Sequence, residues 1–365
     1  MPIKRNKNDG DFMSREMDER LQELEASIST IYAGAEADAQ KRLAEFMARY
    51  EEQARAMYAR MVEGEITEAE YQTWCERAIL RRDYYAATVD DLADVLTNAD
   101  IMAIALVNDN LPYVIAQSFN FGQYVGHLIA DREQITNVSF QIYNAQAVEV
   151  LIRDNPDLLP AVNVPADELW NRTHINRELT QAIIGGDSIP RTAARLARIT
   201  NMDRNSAVRA ARTSMTAAEN LGRNESYRRI TAQGINMAKR WSATYDARTR
   251  ETHRLLDNTT ANAQGYFGEG ILDALGEPLM QYPADPAGAA AERYNCRCRL
   301  NVVPPNYSRD VTVSEYEQWL QNNYPDDYVA LQEDKYFDRL RPSEEWRAEA
   351  QQGFARRLER YSRRG

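Results

Sequence analysis

Two short runs gather residue types that are scarce in the rest of this chain. One extends from Trp241 through Asp246, Arg248 and Arg250 to His253, and the other is Asn295-Cys296-Arg297-Cys298-Arg299. Together they hold one of three histidines and two of three cysteines. Imidazole and thiolate are soft ligands, so His253, Cys296 and Cys298 would supply three donors to zinc, with Asp246 or Asp257 as a conceivable fourth. The alternative is a pair of packed thiols beside a hydrogen-bonded histidine, and both readings stand on the residues alone. On a strand, positions 296 and 298 project from one face, with thiols too far apart and too parallel for an easy mutual disulfide. Asp246 can accept from backbone amides and cap a segment over Arg248 to Leu256. That leaves Arg248 or Arg250 to pair with a carboxylate or a phosphate.

Other chemistries lack their parts. A nucleophilic triad drawn through His253 and Cys296 has no nucleophile-elbow turn to support it. Metal-dependent nuclease chemistry wants clustered carboxylates, and phosphate-binding Gly-rich loops have a fixed spacing; neither pattern is present. His127 and His174 stand alone and read as structural. Cys75, in a helical stretch, reads as a small core residue. Tyr84-Tyr85 and Tyr227 lie near basic residues, which suits packing more often than base stacking.

The order of motifs resembles the head-morphogenesis family of tailed bacteriophages, the minor head proteins of the phage Mu F type. Such proteins run from a Gly-rich turn, here Gly185-Gly186-Asp187-Ser188, through an Arg-Thr helix, here Arg212-Thr213. They continue to a W-x-x-x-x-D-x-R-T-R-x-x-H segment, here Trp241 to His253, and end in an N-C-R-C strand, here Asn295 to Cys298. The resemblance covers roughly residues 160 to 305. It departs at Ser214, where many relatives carry an acidic residue. It implies a non-catalytic capsid component inside the head near the portal, made in the host cytoplasm. The partners it implies are the portal protein and major capsid or scaffold proteins, and its roles are procapsid assembly, DNA packaging or ejection. Some head proteins of this type carry toxin or ADP-ribosyltransferase domains. Here the late acidic candidate, Glu344-Glu345, is adjacent rather than alternating, which argues against that activity. Two further alternatives are a metal-binding hydrolase or toxin-like domain using His253, Cys296 and Cys298, and an internal scaffold lost on maturation.

At 365 residues, two or three domains can each bury a core. The net charge of -11 argues against a general DNA-binding protein. The charge is segregated, however: residues 185–255 carry 14 Lys or Arg against 6 Asp or Glu, so this stretch is +8 and the remainder is -19. A basic patch of this kind can face packaged DNA, an acidic partner or only water. Arg228, Arg229 and the terminal Arg356, Arg357, Arg363 and Arg364 are the candidates for sequence-independent DNA contact. Three cysteines without a disulfide framework fit a reducing compartment. No apolar segment follows the basic start, so no secretory signal is expected. The longest apolar run, Ile101 to Val107, is far below the ~20 residues that span a bilayer, so no membrane partner is expected.

The elements that position these residues are mostly helical. The expected fold is mainly α with a C-terminal α+β domain: long N-terminal helices, then helices followed by a small mostly antiparallel sheet, then a helical tail. Ser14 is the expected cap of a helix over Arg15 to Val62, about 72 Å at 1.5 Å per residue. Its apolar seam runs Met17, Leu21, Leu24, Ile28, Ile31, Ala35 at coiled-coil spacing, which makes Leu21, Leu24, Ile28 and Ile31 the expected partner-binding stripe. Gly64 ends this helix and Thr67-x-x-Glu70 boxes the start of the next. Helix is expected to reach Val107 and to break over Asn108 to Pro112, and the alternation around Ile135 to Tyr143 is partly strand-like. A linker is expected over Asn155 to Pro165. Two helices, from Pro190 and from about Arg204, should precede strands over Ile235 to Tyr245 and Asn295 to Val303, with helix resuming after Ser314. The expected division is 1–160, an elongated helical domain; 161–305, the Mu F-like α+β domain; and 306–365, a helical arm.

Overall fold

Spacings of three and four between apolar residues dominate the first two hundred positions, and the computed structural model of the protein turns nearly all of them into helix. It describes residues 12–79, 82–143, 148, 152, 164–184, 187, 189–303 and 312–332. Helix α1 is Phe12–Val62, α2 is Glu68–Ile79 and α3 is Arg82–Glu133. Helix α4 is Val164–Ile184 and α5 is Ile189–Ala232. Then come strand β1, Ala238–Ser242, the short helices α6, Glu251–Leu256, and α7, Ala290–Arg293, and strand β2, Arg299–Val303. Helices α8, Val313–Asn323, and α9, Pro325–Gln332, close the described chain. Strands β1 and β2 pair antiparallel, with Trp241 opposite Leu300 and Ala238 opposite Val303. A mainly helical chain with long N-terminal helices and a small antiparallel sheet is thus the fold that the sequence leads one to expect.

The chain forms two compact units, each from discontinuous segments. One takes in residues 1–26, 104–161 and 208–343, and the other 27–103, 162–207 and 344–365. In the second unit, one turn after another of four helices contributes to a single core: Leu43 and Phe46 of α1, Leu92 and Leu96 of α3, Ile175 and Leu179 of α4, and Leu196 and Ile199 of α5. A polar clasp accompanies it, with Asp100 accepting from Tyr32 Oη at 2.5 Å and from Asn171 Nδ2 at 3.1 Å. In the first unit, α3 and α5 approach until backbone meets backbone. A Cβ on Gly222 would lie 2.5 Å from the Ile115 carbonyl oxygen and 2.9 Å from Ser118 Cβ, so glycine is required by space there.

Several sequence expectations are corrected. Helix α1 already includes Ser14, which is buried and accepts from Arg223 Nη2 at 3.0 Å instead of capping. Leu24, Ile28 and Ile31 of the expected partner stripe are buried within the chain and Leu21 is partly so; the regular seam serves this protein's own packing. Helix α3 does not break at Pro112. Proline removes the donor that would serve the Asn108 carbonyl, and the helix runs through it; nearby, Asn110 Nδ2 donates to the Leu106 carbonyl at 2.8 Å and Arg20 Nε donates to Asn110 Oδ1 at 3.0 Å. Helix α3 also contains a window apolar and long enough to cross a membrane, yet 72% of that window is buried inside the protein, as in a core helix.

Similarly, the two helices expected on either side of Arg204 are one, α5. Residues 135–143 do not pair as a strand. Side chains take part of their backbone bonding: Asn120 exchanges two hydrogen bonds with Tyr143, Ser139 N donates to Gln233 Oε1, and Phe140 O accepts from Tyr324 Oη. The capping box of α2 forms as expected, Glu70 N donating to Thr67 Oγ1 and Thr67 N to Glu70 Oε2. Helix α8 starts one residue before Ser314, in a second capping box built by Thr312 and Glu315. Residues 155–163 of the expected linker, Gly185, Gly186, Ser188, the side chains of Cys75, Tyr84 and Tyr85, and Arg356, Arg357, Arg363 and Arg364 lie outside the described residues, while the linker's last two positions, 164 and 165, belong to α4.

Candidate functional site

Strand β1 buries Trp241 completely, because alternation on a five-residue strand sends 239, 241 and their neighbours inward in turn and the indole offers the largest apolar area. Two aromatic rings meet its edges. His253 lies with ring centroids 5.1 Å away and Phe267 at 5.5 Å, both near perpendicular. The backbone of Trp241 is also held outside the sheet, donating to Thr259 O at 3.0 Å and accepting from Asn258 N at 2.8 Å.

After β1 the chain turns at Asp246, whose Oδ1 accepts from Arg248 N at 2.8 Å. Asp246 therefore caps this turn rather than α6, whose N-cap position is Arg250 and which lacks a side-chain cap. The carboxylate of Asp246 is also held by both terminal nitrogens of Arg297, Nη2 donating to Oδ1 at 2.8 Å and Nη1 to Oδ2. The Arg297 guanidinium keeps the Asp246 carboxyl well below the usual carboxylate range. Arg250 Nη2 donates to the Tyr294 carbonyl at 2.5 Å, while Arg248 is exposed and 3.8 Å from Asp246.

The N-C-R-C run is not strand. Strand β2 starts at Arg299, and Asn295 occupies the left-handed region at φ 57°. The turn at Asn295 precedes both cysteines, and their thiols come to one place. Cys296 Sγ lies 3.7 Å and Cys298 Sγ 3.3 Å from His253 Nδ1, all three side chains being buried. On the other side of the ring, His253 Nε2 is 3.1 Å from Glu292 Oε2, close enough for an ion pair but without hydrogen-bond alignment. Glu292 also accepts from Thr252 Oγ1 at 2.7 Å. Burial opposes charge on the imidazole, but Cys298 and Glu292 outweigh it and raise its pKa. The Cys298 thiol beside Cys296 holds the latter's pKa down, and Cys298 itself is pushed well above the thiol range. A shallow pocket beside the thiols is lined by Thr244, Thr249, Asn295 and the three arginines 248, 250 and 297.

The Arg-Thr pair on α5 is wired to the same region. Thr213 Oγ1 accepts from Asn295 N at 2.7 Å, fixing the turn that precedes the cysteines. Arg212 reaches instead to α1, donating to both oxygens of Glu25 at 2.5 and 2.8 Å. Arg228 pairs with Glu225, and Arg229 lies over the rings of Phe119 and Tyr143 while donating to Gln141 Oε1. Elsewhere in the basic segment, Arg195 meets Glu178 and Asp187. Two carboxylates from outside the basic segment, Glu178 and Glu25, thus pair with its arginines 195 and 212.

Sequence reasoning missed Glu292, Glu219 and a role for Arg299. Arg299 is buried and donates to Glu219 Oε2, Asp18 Oδ1 and the Ser14 carbonyl, at 3.1, 2.7 and 2.9 Å. Its position directly after Cys298 was the available signal. Nothing local distinguished Glu219 or Glu292 from ordinary helical acids.

The fold and these linked motifs define a class. Residues 173–301 match the family described as Phage Mu protein F like protein, and this part of the chain is a phage Mu F-like domain. The matched stretch lies inside residues 160 to 305, where the motifs occur. Among curated relatives, minor head protein GP7 of Bacillus phage SPP1 is a distant homologue, 27% identical over 210 residues, covering 55% of this chain and 62% of that protein. NAD(+)--arginine ADP-ribosyltransferase EFV of Enterococcus faecalis is 27% identical over 162 residues, covering 40% of this chain and 32% of the enzyme. The chain therefore spans less than two thirds of the length of either relative. No solved structure matches.

Proposed function

We propose that this protein is a minor head protein, a component of a phage head that associates with the portal protein and aids procapsid assembly, DNA packaging or ejection. The observation that carries the reading is the Mu F-like domain at residues 173–301 in a chain similar to minor head protein GP7. The geometry agrees with a non-catalytic role. Asp246 is occupied by Arg297, Arg212 by Glu25, Thr213 by Asn295 and Trp241 by its aromatic neighbours; the motif is spent on holding the domain together. The Arg-rich end remains the candidate for backbone contact with packaged DNA, an interaction that would weaken steeply with salt.

Co-expression with the portal protein of the same phage, followed by size-exclusion chromatography, tests the association. Stable co-elution is expected; separate elution at micromolar concentrations would remove the portal from the proposal. Mass spectrometry of mature virions separates a retained head component from a scaffold lost on maturation. The similarity to an arginine ADP-ribosyltransferase gives the enzymatic alternative its own assay: incubation of the chain with labelled NAD and arginine-bearing acceptors should transfer no label.

A further inference from the structure

We infer that His253, Cys296 and Cys298 form a zinc site, with His253 Nδ1 and the two Sγ atoms as ligands. The assembly reading does not require this site. Three observations carry it. First, both sulfurs approach the same ring nitrogen, at 3.3 and 3.7 Å. Nδ1 offers one lone pair or one hydrogen and can satisfy only one thiol, whereas a cation satisfies all three atoms at once. Secondly, the spacing fits. With Zn–N near 2.05 Å and Zn–S near 2.3 Å, tetrahedral geometry puts N and S about 3.6 Å apart and the two sulfurs about 3.8 Å apart. The three ligand atoms lie within 4.8 Å of one another, and the two N–S distances bracket the tetrahedral value.

Thirdly, the surroundings are those of a ligand histidine. Glu292 sits against Nε2 at 3.1 Å, so its negative charge favours the proton on that nitrogen and leaves the Nδ1 lone pair for the metal. The fourth position faces the pocket lined by Thr244, Thr249 and Asn295, and Asn295 Oδ1 is a buried acceptor lacking a hydrogen-bond partner. That oxygen or a water completes the tetrahedron. Asp246 and Asp257 do not: Asp246 binds Arg297 through both oxygens, and Asp257 Oδ1 accepts from Ala243 N at 2.8 Å. Binding exchanges the two thiol protons for Zn²⁺, so the ion and its two thiolates are neutral together. The metal would staple α6 to the turn before β2, in a domain whose sheet, among the described residues, has two strands.

The test uses the full chain carrying Cys75→Ala, so that the two site thiols are the only ones. After chelator treatment it is titrated with Co²⁺. One Co²⁺ per chain is expected, with thiolate-to-cobalt charge transfer in the near ultraviolet, intense tetrahedral bands in the visible, and displacement of both by Zn²⁺. Cys298→Ser should weaken binding at least tenfold. Should that variant not fold, alkylation of the unsubstituted site gives an independent reading: Zn²⁺ should slow labelling of both thiols at least tenfold in native protein. Absence of charge transfer on Co²⁺ addition, or unchanged alkylation with Zn²⁺, would overturn the site.

Discussion

Asp246 receives both terminal nitrogens of Arg297 from 51 positions further along the chain. This two-pronged pair joins the turn after β1 to the turn before β2, so the two motif runs are fastened to each other outside the sheet that they flank. Removing one partner strands the other in a partly buried place. Asp246→Asn should lower stability by about 2 kcal/mol, in the range for hydrogen bonds to charged groups, measured by urea unfolding. Because the folded carboxyl is held low, its contribution is complete above the unfolded value near 3.8 and is lost as pH falls through the folded one. The variant's deficit should therefore shrink in acid; a constant deficit would show that the pair is not its source.

Buried charge makes a larger effect at Arg299, which serves Glu219, Asp18 and the Ser14 carbonyl together. Arg299→Met leaves two carboxylates facing a methionine. Loss of one partner from a buried network costs about 3–5 kcal/mol, so this variant should show a markedly lower midpoint in thermal unfolding. A shift no larger than that of Arg248→Ala, an exposed arginine of the same region, would contradict the network's importance.

Close backbone approach predicts a third effect. At Gly222 a methyl group would meet the Ile115 carbonyl, a backbone atom that cannot rotate away. Gly222→Ala would raise the helix propensity of α5 but should still destabilise by about 1–3 kcal/mol, the cost of overpacking. Gly34, also in a long helix but with nothing within 4 Å of the added carbon, is the control; alanine there should stabilise by a fraction of ~1 kcal/mol. Equal behaviour of the two variants in denaturant melts would rule out the steric account.

Much of this was legible in sequence where interactions are local. The Thr67–Glu70 box, the Gly64 stop and the long helical seams follow from spacing, and all form. The rarity of His and Cys pointed to the cluster, and the two thiols do share one side, although the regular strand begins only at Arg299, after both of them. Tertiary packing decided the rest. Pro112 stays within α3, whose neighbouring residues Leu111, Tyr113 and Val114 are buried, and in residues 135–143 distant side chains take backbone bonds at Ser139 and Tyr143. The apolar face of α1 carries no label saying whether its cover is this chain or another. Its burial shows that the cover is internal at Leu24, Ile28 and Ile31.

The same internal cover appears around a cation. Lys239, 3% exposed, points its Nζ at Asn224 Oδ1 and the Gln281 carbonyl at 2.8 and 3.1 Å, with the rings of Tyr227 and Phe267 nearby. Burial pulls its pKa down from 10.5 to about 8. Between those values the folded protein holds the amine neutral while the unfolded chain still binds a proton, so the unfolded state carries more protons and stability should rise with pH across that window. Below about 8 the amine is charged in both states and the contribution levels off at its least favourable value. Lys239→Met keeps the length and removes the titration. Unfolding free energies measured in guanidinium from pH 7 to pH 10 should rise for the parent relative to the variant; parallel curves would show that the ammonium is not penalised in the fold.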